Sequence, residues 1–114
     1  MSALRILQII AAAGTILTGL VSLILPNSVR GFTGLDPNGG RGITEIRAVL
    51  GGFFIALGAA AIGINSTDAY RMLGIAYLGV ALVRLVSMFV DRSVVQSNII
   101  SLVVEIIFGV ILVL

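Results

Sequence analysis

The chain has 114 residues, of which 59% are hydrophobic and only 11% charged, with a formal net charge of +2. A soluble domain of this size is about a quarter charged, because it must cover itself with polar groups; a mean hydropathy of +1.21 therefore makes lipid the solvent. All seven cations are arginine, too sparse for a nucleic-acid footprint, which needs cations clustered on one face.

There is no Cys and no His. That excludes disulfides, thiol redox chemistry, Cys/His zinc sites and histidine ligation of haem. It also removes the usual general base at neutral pH.

The first apolar segment runs from about Leu4 to Leu25 and is closed by Pro26-Asn27. Small and hydroxylated residues recur along it at four-residue spacing, as Ala11, Thr15 and Gly19 and as Gly14, Thr18 and Ser22. The glycine-rich loop 31–42 follows. It lacks the Gly-Lys-Ser/Thr ending and the preceding strand of a phosphate loop. Asp36 and Asn38 open like a calcium loop, but Gly40 and Arg41 follow and no Glu stands at the twelfth position. Asp36-Pro37-Asn38-Gly39 is a turn.

The second segment spans about Ile43 to Ile64. Glu45 and Arg47 stand at its start, and Ala48, Gly52, Ala56 and Ala60 form a stripe of small residues, with Gly51, Ala59 and Gly63 nearby. In lipid, small residues let backbones approach, and van der Waals contact then drives association. The stripe is expected to pack against another helix of the same bundle, with a dimer face as the alternative.

Asn65-Ser66-Thr67 matches a glycosylation acceptor, but it stands where one helix ends and the next needs a cap. Asp68 adds a favourable charge at that helix start. The third segment spans about Ala69 to Val90, with Tyr70, Tyr77, Arg84 and Asp91 recurring every seven residues. The fourth runs from about Asn98 to Leu114, with Ser97, Ser101, Glu105 and Gly109 recurring every four.

Each segment is close to the roughly 20 residues that carry a helix across about 30 Å of hydrocarbon. Only helices and closed barrels satisfy their backbones in lipid, and these runs lack strand alternation. The expected fold is all-α, an integral membrane four-helix bundle forming a single transmembrane domain over residues 1–114. Four crossings put both termini on one side, X, with the 65–71 turn; side Y carries the 26–42 and 91–97 loops. Short-loop arginines number two on X (Arg5, Arg71) and three on Y (Arg30, Arg41, Arg92). The positive-inside rule leans towards a cytoplasmic Y, by a margin of one residue that leaves the orientation undecided.

Ionisable residues at membrane depth are costly and face the protein interior or water. Arg84 lies about 9 Å in from side Y and Glu105 about 10 Å in from the same side, at 1.5 Å per residue. Glu45 and Arg47 start their helix on that side, so all four are expected in one leaflet, with Asp91 at its boundary. Facing stripes would set Arg84 against Glu105, with Tyr77 and Ser101 as hydrogen-bond partners. Glu45 and Arg47, about 200° apart on a helix, cannot point the same way. The cluster has three readings: a lock on helix register, a ligand or proton-handling cavity, and a contact with a partner subunit. Glu45-Ile46 and Glu105-Ile106 also echo one another in the second arm of each hairpin, as duplicated halves do in transporters.

Glu45-x-Arg47 followed by Gly51-Gly52, then Arg84 with Asp91, then Glu105 in the last helix, form a pattern over nearly the whole chain. It resembles a family of small four-helix bacterial membrane proteins known only as a domain of unknown function, DoxX-like in layout. The resemblance implies the fold and a bacterial inner (plasma) membrane location, and supplies no activity. Some DoxX-like relatives are associated with quinone-linked redox complexes, which implies an accessory-subunit role. Small multidrug transporters are similar in length and helix count but carry their essential acid in the first helix, where this chain has only Gln8, Thr15, Thr18 and Ser22 as polar residues besides Arg5.

The leading expectation is a non-catalytic membrane protein, an accessory or structural subunit of a membrane complex or a small homo-oligomer. The alternative is a binder or transporter of a small or lipophilic molecule (a quinone, lipid or pigment) at the Arg/Glu cluster. An enzyme ranks third, because carboxylates and arginines offer acid–base chemistry without a nucleophile or a metal. No cofactor is expected on sequence grounds. The expected partners are the bilayer and other membrane subunits or further copies of the chain, with no nucleic acid.

Overall fold

Pro26 and the glycine-rich loop interrupt the apolar pattern where a helix cannot continue, and the computed structural model, which describes all residues from Met1 to Leu114, follows those breaks. Four long helices carry the chain: α1 (Ala3–Ile24), α2 (Gly39–Ile64), α3 (Thr67–Val90) and α4 (Gln96–Val113), each long and apolar enough to cross a membrane. A 3-10 turn, Pro26–Val29, and a short helix, Arg30–Thr33, link α1 to α2. All regular structure is helical.

The chemistry of the α2–α3 corner is local. Asn65 ends α2 in the left-handed conformation (φ 51°). Ser66 then caps α3, its Oγ accepting from the Ala69 N–H at 3.1 Å, and Asp68 stands in the first turn. Both features offset the unpaired donors and positive dipole end of a helix start.

α2 departs from regular geometry. Its middle, Ile46–Phe53, is π-helical, hydrogen-bonding to the fifth residue back, a widened form that in most proteins appears as single turns.

The chain resolves into two compact units, Met1–Ala11 with Ser66–Leu114, and Ala12–Asn65. In the second, glycines carry the contact between the rest of α1 and α2. A Cβ at Gly58 would stand 2.6 Å from the Ala12 carbonyl oxygen, and one at Gly19 would stand 2.7 Å from the Gly51 carbonyl oxygen. Ala12, Thr15, Gly19 and Ser22 are buried on the α1 side.

The expected α2 stripe does not carry this contact with α1. Ala48, Gly52, Ala56 and Ala60 are all exposed, and the buried line of α2 is Ile46, Gly51, Gly58 and Ala61. A four-residue spacing drifts about 40° per step on a helix of 3.6 residues per turn. In the regular part of α2, Ala56 and Ala60 lie two residues either side of Gly58, about 200° around the helix, so they point away from the buried line.

The first unit is built around the α3–α4 hairpin, whose backbones approach closely at Gly74 and Gly109. A Cβ at Gly74 would stand 2.8 Å from Leu112 Cβ and 2.9 Å from the Gly109 carbonyl oxygen, and one at Gly109 would stand 2.7 Å from Leu78 Cγ. Tyr70, Leu73, Ala81 and Met88 of α3 and Glu105, Gly109 and Leu112 of α4 are buried in this unit.

Many large apolar side chains are exposed, among them Met72 at 75%, Val90 at 74% and Phe89 at 70%. A soluble monomer rarely exposes apolar patches beyond a few hundred Å², so this surface is suited to hydrocarbon.

Candidate functional site

Arg84 of α3 and Glu105 of α4 meet as a two-pronged fork. The Arg84 Nε–H donates to Glu105 Oε1 at 2.7 Å, and Nη2 donates to Oε2 at 2.8 Å. Parallel N–H···O bonds of this kind fix geometry as well as neutralise charge. The third guanidinium nitrogen, Nη1, donates to Asn98 Oδ1 at 2.9 Å, and Asn98 Nδ2 donates to the Ser93 carbonyl at 2.9 Å. The network thus ties two helices and the loop between them. Glu105 is 9% exposed, and no buried side-chain nitrogen or oxygen lacks a partner.

The other expected site residues divide. Tyr77 packs edge-on against Phe108, with ring centroids 5.6 Å apart and planes at 81°. Ser101 is half-buried on α4. Asp91 is exposed just past the end of α3; its backbone N–H donates to the Ser87 carbonyl, and its carboxylate has no partner. Glu45 pairs along its own helix with Arg41 at 2.6 Å, and both side chains are mostly exposed. Arg47 is exposed and lines a cavity of about 400 Å³ with Ile24, Pro26 and Ile43. The echo between Glu45 and Glu105 therefore stops at sequence, since one is exposed and the other buried.

The pattern of residues and the four-helix fold agree with one finding from comparison: the family model for a domain of unknown function, DUF4345, matches residues 3–114. The chain belongs to the DUF4345 family. No curated protein and no solved structure matches it.

Two further features of this DUF4345 chain bring in residues beyond the expected cluster. The first is a polar seam at the start of α1. Gln8, 2% exposed, donates to the Ile111 and Leu112 carbonyls at 3.2 and 3.5 Å, and Arg71 Nε–H donates to the Val113 carbonyl at 3.2 Å. These donors supply the last-turn carbonyls of α4, which have no partner within the helix. Arg5 lies over the Tyr70 ring, 4.8 Å from its centroid, and donates to Thr67 Oγ1 at 3.3 Å. A lone amide in an apolar helix was the available signal for Gln8.

The second is an open groove of about 670 Å³ along α3, with Gly79, Val80 and Val83 towards one end and Arg84, Ser87 and Asp91 towards the other. Asn98 and Ser93 complete its polar end. Asn98 was detectable in sequence, because it lies seven residues before Glu105 and so shares its helix face.

Proposed function

We propose that this DUF4345 protein is a non-catalytic subunit of the bacterial inner membrane that assembles with other membrane proteins or with further copies of itself. The observation that carries the reading is the closure of the charge network. Arg84, Glu105 and Asn98 direct their polar atoms to one another and to the backbone, so they hold a hairpin rather than stand poised to attack or to move a proton. A DoxX-like layout, and the association of some DoxX-like proteins with quinone-linked complexes, support an accessory place. Native mass spectrometry from mild detergent tests it. The expected result is a defined homo-oligomer or a stable complex with a second chain; a monomer at every detergent condition would sink the reading.

A second reading is favoured by the groove on α3. An open, mainly apolar groove whose polar end lies at the terminus of α3 is suited to a lipophilic molecule, which would make the chain a binder of such a molecule.

A further inference from the structure

We propose that the α3 groove holds an amphiphile with a primary ammonium head, seated at Asp91 with its tail along Val83, Val80 and Gly79. The inference rests on the binding reading above and adds the class of ligand.

Charge accounting selects the head. Two charged residues line the groove, Arg84 and Asp91. The Arg84 charge is matched by Glu105 in the fork, whereas the Asp91 carboxylate has no partner. The uncompensated charge at the polar end is thus negative, and Ser87 and Ser93 stand beside it as hydroxyl acceptors. An ammonium group, with three donors, suits a carboxylate flanked by hydroxyls. Arg92, next in sequence, is exposed in a left-handed conformation (φ 51°) and does not line the groove.

Length selects the tail. Gly79 lies twelve residues before Asp91, about 18 Å at the helical rise. One leaflet of hydrocarbon is about 15 Å deep. The groove therefore matches one acyl chain entering from the boundary at Asp91. A Cβ at Gly79 would meet nothing within 4 Å, so this wall is open to an occupant.

The occupant assigned is an ethanolamine phospholipid, because the length of the groove matches one leaflet of hydrocarbon; a free long-chain amine is the other outcome the test distinguishes. The full chain in detergent would be offered phosphatidylethanolamine and phosphatidylglycerol with identical acyl chains, and in a second arm dodecylamine and dodecanol. Retained ligand would be read by native mass spectrometry. The ammonium member of each pair should be kept about threefold to fivefold over its partner, as expected of a solvent-exposed ion pair, and Asp91→Asn should remove that preference. Selectivity in both arms assigns a lipid head, and selectivity in the amine arm alone assigns a free amine. Gly79→Leu, which has room for its side chain, should reduce retention of every ligand by filling the groove. Equal retention within both pairs would overturn the ammonium assignment and leave groove binding standing. Retention unchanged in Gly79→Leu would overturn groove binding itself.

Discussion

Arg84 and Glu105 show why a charge can sit inside a helix meant for lipid. An isolated arginine at the centre of a membrane helix costs roughly 2.5–3.5 kcal/mol on insertion scales, and the fork offsets part of that cost. The two residues are not equivalent when separated. A carboxyl group left alone can be neutralised by a proton, whereas a guanidinium cannot. Glu105→Gln should therefore lower the detergent melting temperature more than Arg84→Met. The double mutant should be less destabilised than the sum of the two, with a coupling on the order of 1 kcal/mol, the scale found for polar contacts between membrane helices. Strict additivity in thermal melts would show that the residues are uncoupled.

At the scale of the element, the helices α1 and α2 meet through backbone rather than side chain. Gly58 and Gly19 leave no room for a Cβ, while Gly52 has only the Arg47 carbonyl oxygen near it, at 3.8 Å. Gly58→Leu should cost folding stability by about 1–3 kcal/mol, the usual range for overpacking. Gly52→Leu should leave the melting temperature of the monomer nearly unchanged; equal losses for the two would place Gly52 in the packed core. The number and approximate extent of the helices were legible in the sequence because hydrocarbon thickness imposes them. The Arg84–Glu105 pair was legible for a related reason, since depth along each helix follows from residue count. The packed face of α2 was not. Small residues lie on all sides of that helix, so spacing alone could not choose among stripes, and the π-helical stretch Ile46–Phe53 breaks the constant period on which such a choice depends. The start of α2 at Gly39 was equally illegible, because glycines carry no apolar signal and have low helix propensity.

At the scale of the whole molecule, four crossings would leave both termini on one side of the bilayer. The chain lacks cysteine, so single cysteines can report this directly. Thiols placed at Ser2 and Asp68 should react with an impermeant maleimide from the same side of a sealed vesicle, and thiols at Asn38 and Val94 from the other. All four positions are exposed. Labelling of Asn38 together with Ser2 would remove one crossing and with it the placement of the charged fork in a single leaflet.

The polar seam at the end of α4 bears on how the protein is made. Ile111 and Leu112, in the last of the four helices to leave the ribosome, take their hydrogen bonds from Gln8 in the first. Until α4 arrives, the Gln8 amide must remain in contact with water, lipid headgroups or the insertion machinery, because an unpaired amide is costly in hydrocarbon. The Gln8 amide therefore reaches its native partners only once α4 has been made. A chain stalled before residue 111 should leave that amide paired with water, headgroups or the insertion machinery, which a crosslinker placed at position 8 would report.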